Sequence, residues 1–262
     1  MVLERLISLR SGIKQPIWMF FIGGAVALIS LFIAYYIFQT SVGMFTSLLI
    51  TIAMMPFMLN LITYEEEKEE LEADITEMNF LQRHRMTLKV YTAFFAGVIL
   101  SLSITYMILP QTTVEKIFAD QINQINAIRG SFLFSDTFSR IIVNNIGVLL
   151  LSFLFSFLYG AGAVFILAWN ASVLATAIGI AAKSYGGAAA LPLAILTYFP
   201  HGSLEILAYF IGGIAGGLVS TVITRRKTGK FWFILKDGLQ LMAISVVILI
   251  IAGLIESLEI VA

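Results

Sequence analysis

The chain has 262 residues, of which 59% are hydrophobic and 12% charged, with a mean hydropathy of +0.95 and a formal net charge of zero. A water-soluble domain of this size has too little interior for so much apolar surface, so the composition excludes a soluble fold and points to lipid. Zero net charge excludes a global basic field for nucleic acid, and the lack of cysteine excludes disulfides, thiolate metal sites and a cysteine nucleophile.

Arg5, Arg10 and Lys14 precede an apolar run over 17–38. That run is longer than a secretory-signal core and has no small-residue cleavage site, so it predicts an uncleaved first membrane span. A second uncharged stretch covers 42–63, long enough for a hydrocarbon core about 30 Å thick. The segment 65–89 opens with eight acids between Glu65 and Glu77 and closes with Arg83, Arg85 and Lys89. Acids early and bases late complement a helix dipole, and Leu71, Ile75, Met78, Leu81 and Leu88 approximate an apolar stripe. A cytoplasmic helix is predicted, either a solvated connector or a docking surface. A third span covers 90–109. Beyond it, Pro110, a capping Thr113 and the helical spacing of Val114, Ile117, Phe118, Ile125 and Ile128 predict an amphipathic external helix over 112–130, ended by Gly130. It is expected to lie on the outer surface or to cover the mouth of the bundle.

The next apolar stretch, 141–167, is longer than one straight crossing and carries Asn144 and Asn145. The region 169–223 is interrupted by 183–187 and by Pro200, which predicts a short crossing at 169–182 and a broken one at 191–223. The short member is open to a second reading, one half of a re-entrant pair with 191–199. A last span covers 238–255. Lys and Arg concentrate before the first span, in 65–89 and in 225–236, leaving only Lys116, Arg129, Arg140 and Lys183 elsewhere. With the three clusters cytoplasmic, the expected fold is an all-α polytopic bundle of about seven crossings (six to eight), N-terminus inside and C-terminus outside. It divides into an N-terminal hairpin with the charged helix (1–89) and a transmembrane core (90–262). Gly212 with Gly216, and Gly213 with Gly217, form overlapping small-xxx-small pairs that predict close helix packing, within or between subunits.

The residues able to carry chemistry are few. His201 and Glu205 are four apart and share a helical face, and Glu205 is the only acid between Asp136 and Asp237. A bare carboxylate at membrane depth costs at least a few kcal/mol, so it is expected to be protonated, paired or in a wet cavity. Pro200 disfavours helix at Phe199 and suits the first turn of a new one, placing His201 and Gly202 at a helix start whose amides favour anions. Asn144, Asn145 and Asn170 are expected to join the same polar network. Three roles stay open for His201 and Glu205: a structural lock with Asn170 or Asn145, a proton or ion relay, or a metal site. A catalytic zinc usually needs three protein ligands, and the pair offers two. No cofactor is predicted, Ser152 and Ser156 lack a base at helical spacing, and no phosphate loop, dinucleotide fingerprint or HExxH is present.

Asn144–Asn145, the run Tyr159-Gly160-Ala161-Gly162, Asn170 and the segment Phe199-Pro200-His201-Gly202-Ser203-Leu204-Glu205, with Ala208, Gly213 and Gly216 beyond, together resemble the stage II sporulation protein M family over about 138–222. The family's Asn-Gly reads Asn170–Ala171 here. The resemblance implies a polytopic membrane protein with a polar His/Glu/Asn site; the sporulation member is an engulfment-complex subunit with cell-wall hydrolase partners, a scaffold rather than an enzyme. The leading expectation is therefore a non-enzymatic membrane scaffold or complex subunit, homo-oligomeric or bound to other membrane proteins, using the glycine face and the acidic helix as contacts. The alternative is a small transporter moving a proton, ion or anionic lipid through His201 and Glu205. A metal-dependent intramembrane enzyme comes third.

Overall fold

In a computed structural model the structure describes residues 15–71, 85–129, 134–159, 162–224 and 231–261. These form nine α-helices and one short 3-10 turn, with no strand among the described residues. In chain order they are α1 (Ile17–Ile37), α2 (Val42–Leu71), α3 (Arg85–Ile108), α4 (Gln111–Ile117), α5 (Ala119–Arg129), α6 (Phe134–Tyr159), α7 (Ala163–Tyr185), α8 (Leu191–Thr224) and α9 (Phe231–Val261). All but α4 and α5 contain an apolar window long enough to cross a bilayer, which makes this a seven-crossing, multi-pass membrane protein.

Tight reversals join α1 to α2 and α7 to α8. Ser41, at φ 54°, turns the chain between α1 and α2, and Phe38 stacks on Phe45 across that turn. Gly186 and Gly187, at φ 122° and 88°, close α7, with the Gly187 amide donating to the Ala182 carbonyl. A side chain at either position would be strained, which is why glycine ends this helix. Gly162 opens α7, and a Cβ there would collide with the Phe155 carbonyl of α6.

Small residues decide who sits in the middle. α7 is rich in Ala, Ser and Gly, and 67% of its membrane window is buried, against 33% for α6 and for α9. It touches α2, α3, α6 and α8. Small side chains let backbones approach when lipid supplies no hydrophobic drive between helices. α1 and α3 cross by the same device: a Cβ on Gly23 would strike the Phe94 carbonyl, and one on Gly97 the Phe20 carbonyl. Buried Phe94, Phe95 and Tyr91 fill the space behind that crossing, and Tyr91 meets Phe210 of α8 edge to face at 5.3 Å. Leu239, Val247 and Leu258 on α9 and Leu150 and Leu158 on α6 remain exposed, as lipid-facing surface.

Several sequence expectations need correction. The 141–167 stretch is not one crossing: α6 ends at Tyr159 and α7 begins at Ala163, after the glycine pair Gly160 and Gly162. The crossing expected at 169–182 is a full 23-residue helix, so it is neither short nor half of a re-entrant pair. The break at Pro200 does not occur. α8 runs unbroken from Leu191 to Thr224 with Pro200 inside it. Proline removes one N–H, whereas unwinding in lipid would strand several backbone groups at several kcal/mol each, so the helix continues. Pro56 is carried inside α2 in the same way. The expected external helix 112–130 is two helices, because Phe118 leaves helical geometry to pack its buried ring against Tyr106. Pro110, not Thr113, occupies its cap, and the Gly130 stop lies outside the described residues. Of the charged helix 65–89, α2 extends to Leu71 and α3 starts at Arg85; residues 72–84 lie outside the described residues.

Candidate functional site

Tyr198, His201, Gly202, Glu205 and Tyr209 recur every three or four residues along α8 and so present one face. That face lines a chamber of about 80 Å³ bounded by α5, α6, α7 and α9. At roughly 10–15 Å³ of such space per molecule, it has room for a few waters. Asn144 and Asn145 enter from α6, Asn170 from α7, Gln124 from α5 and Glu256 from α9. All five residues expected to form one polar network, His201, Glu205, Asn144, Asn145 and Asn170, thus line a single chamber.

Their bonding differs from the expected lock. The Asn145 side-chain amide donates to Glu205 Oε1 at 2.6 Å, and Asn144 donates to Asn145 Oδ1 at 3.1 Å, so two successive residues of α6 feed one carboxyl group on α8. Asn170 instead donates to the Ile166 carbonyl of its own helix at 2.8 Å, which leaves it lining the wall without joining the chain of amides. Glu256 faces Glu205 within hydrogen-bonding reach. His201 is 4% exposed, and its Nδ1 lies 2.8 Å from Glu259 Oε2, at ion-pair distance though outside hydrogen-bond alignment. Tyr198 stacks edge-on against the imidazole at 5.5 Å. Gly202 is filled on its open side by Leu174 of α7, whose methyls would stand 3.2–3.3 Å from an added Cβ, so it sets helix spacing rather than a helix start.

α5 roofs the chamber and is pinned there by polar bonds. Trp169 Nε1 on α7 donates to Gln124 Oε1 at 2.8 Å, and Gln121 Nε2 donates to Ser172 Oγ at 3.0 Å. Arg140 on α6 donates to the Ala127 carbonyl at 3.3 Å beside an open groove that shares Gln124 and Asn144 with the chamber. The apolar residues predicted for this external segment, Val114, Ile117, Phe118 and Ile125, are buried against the bundle, so it covers the mouth rather than lying on a lipid surface.

Gly212, Gly213 and Gly216 pack inside the chain. An added Cβ would meet Leu149, Ala163 and the Phe153 carbonyl respectively, all on α6 or α7, and Gly217 is buried with them. The glycine face is therefore an intramolecular seam that holds α8 at the distance the chamber requires. No three His, Cys, Asp or Glu side chains gather closely enough to hold a metal among the described residues. With α8 continuous, His201 and Gly202 also offer no free amides, and the anion site expected there has no structural basis.

Sequence reasoning missed Glu256, Glu259, Tyr209 and Gln124. The two glutamates fell beyond a span ended at residue 255. Their three-residue spacing in an otherwise apolar tail, Glu256 to Val261, is the signal that could have extended the helix and placed both on one face.

Comparison with known proteins gives no significant match among curated proteins or solved structures. The family model described as stage II sporulation protein M matches residues 48–258, 211 of the 262. That span reaches well past the third of the chain that carries the resemblance; it runs from within the second crossing to within the last and includes the residues that line the chamber. The chain belongs to the stage II sporulation protein M family.

Proposed function

We propose that this protein is a small proton-carrying membrane transporter in which Glu205 binds the proton inside the chamber. The observation that carries the reading is the chamber itself: a water-sized space within the membrane core, lined by Glu205, Glu256 and His201 among amides. Ionisable side chains at membrane depth are costly and characteristically face water-filled pathways where they relay protons. The lining holds no Lys or Arg, and carboxyl groups repel anions, so an anionic or lipid ligand is disfavoured. With the N-terminus cytoplasmic, as the distribution of basic residues suggests, the chamber sits in the external half of the membrane.

A scaffold needs a contact surface. The glycine face is used up within the bundle, so of the two contact surfaces expected for a scaffold only the charged segment 65–89 is left to serve.

The test is proteoliposome flux. An imposed pH gradient, followed with an entrapped pH-sensitive dye, should collapse faster with the wild-type protein than in empty liposomes. Glu205→Gln keeps the size and the amide-accepting oxygen but cannot exchange a proton, so it should fall to the empty-liposome rate. Wild-type protein at that rate, or Glu205→Gln at the wild-type rate, overturns the proposal.

A further inference from the structure

Besides the open groove beside Arg140, α9 offers the chamber an approach to water. We infer that His201 and Glu259 form a two-residue proton relay between the chamber and the aqueous surface at the end of the bundle that carries α5 and the C-terminal turn of α9. This rests on the proton reading above and names the path that reading requires. His201 lines the chamber one helical turn from Glu205, and its side chain is 6% exposed. Glu259 is 31% exposed and stands in the last turn of the apolar window Leu235–Ile260, where a helix reaches the membrane surface. The carboxylate and the imidazole Nδ1 are 2.8 Å apart. One partner thus faces the interior, the other the solvent, and they touch.

An imidazole suits this place because its two nitrogens exchange roles. Glu259 takes a proton from water and, once side-chain rotation brings the pair into line, passes it to Nδ1; the ring releases a proton from its other nitrogen toward the chamber; tautomer exchange restores the start, and no net proton stays on the pair. The titratable groups around His201 are Tyr198, Glu205 and Tyr209 on its own helix and Glu256 and Glu259 on α9. The helices α5, α6 and α7 contribute Gln124, Asn144, Asn145 and Asn170 to the same wall, amides that orient water without taking a proton. The chain of exchangeable groups therefore runs Glu205 to His201 to Glu259, with Glu256 beside its inner end.

Two measurements test the relay. The sequence has two histidines, so His84→Gln leaves His201 as the single imidazole. In that full-length chain, labelled with 15N-histidine in lipid nanodiscs, Glu259→Gln should move the Nδ1 resonance and slow exchange of the ring N–H with water several-fold. In the flux assay, Glu259→Gln and His201→Gln should each slow the wild-type rate several-fold, and the double variant should be no slower than the slower single, because the two act in series. Effects that multiply would mean that the two side chains act on separate paths and would overturn the relay. Flux that depends on Glu205 but proceeds at the wild-type rate in Glu259→Gln and His201→Gln overturns the relay and leaves the transport reading standing. If wild-type flux itself is absent, the transport reading fails, and the nanodisc measurement still decides: an Nδ1 resonance and exchange rate unchanged by Glu259→Gln overturn the relay. Monodisperse elution of each variant guards against misfolding, and the exposed Glu259→Gln gives a conservative member of the set.

Discussion

Removing the Asn145 side chain should test the chamber's wiring directly. Asn145→Ala deletes the 2.6 Å bond to Glu205 and the acceptor for Asn144 at 3.1 Å, and leaves both partners half-buried in the bundle. Hydrogen bonds between membrane helices average about 0.6 kcal/mol and reach about 1.7 kcal/mol. Two lost bonds therefore predict a destabilisation of about 1–3 kcal/mol, the upper figure applying if the stranded groups find no water. The assay is reversible unfolding in mixed micelles across the cycle Asn145→Ala, Glu205→Ala and the double variant. A coupling energy of about 1 kcal/mol is expected, because the Asn145–Glu205 bond is counted in both single variants and lost once in the double. Glu205→Gln retains an acceptor oxygen and should keep most of the coupling. Strict additivity of Asn145→Ala and Glu205→Ala would refute the arrangement, since it would mean that the two side chains do not meet in the folded protein.

Three further outcomes follow from the packing. Pro200→Ala restores an N–H inside an already continuous α8, so thermal stability in detergent should stay level or rise by up to about 3 kcal/mol; a loss above about 1 kcal/mol would show that the chain does break there. Gly216→Val places a branched side chain on the Phe153 carbonyl and should destabilise by about 1–3 kcal/mol, measured by the same unfolding assay, whereas an unchanged protein would deny the α6–α8 seam. Trp169→Phe removes the donor to Gln124 at a cost of about 1 kcal/mol, and hydrogen exchange should quicken in α5 while α7 stays protected.

Crossings were legible in the sequence wherever hydrophobicity alone defines them. Residues 17–38 and 42–63 differ from α1 and the apolar part of α2 by only a residue or two at their ends. Punctuation was harder, because lipid changes what breakers do. Gly160 and Gly162 divide two helices that composition had fused, while Pro200, a stronger breaker in water, is absorbed. The difference lies in location: Gly162 sits in the turn that precedes α7, and Pro200 sits within a crossing where unwinding would expose backbone to lipid. Within the site, His201, Glu205 and the three asparagines stood out because each is an anomaly in an apolar run. Glu256 and Glu259 did not, because an acid near the end of a span is ordinary; only the packing of α8 against α9 sets Glu256 in the chamber wall and Glu259 against His201. Gln124 was hidden for a related reason, since its role depends on α5 folding back over a bundle 45 residues away in sequence.

The site is tightly held, and that bears on how it works. α8 is held by glycine seams to α6 and α7, and α5 is tied down by Trp169 and Ser172. A carrier for a bulky substrate would need one of these contacts to slide by several ångströms, against interfaces that leave no room for a methyl group. A proton needs no such movement. It requires side-chain rotation, a few waters and a chain of exchangeable groups, and the chamber offers all three in about 80 Å³. On the proposed transport reading, the rigidity that makes Gly216→Val destabilising would select the smallest cargo, and the Asn144–Asn145–Glu205 chain would fix the carboxyl group that takes it up.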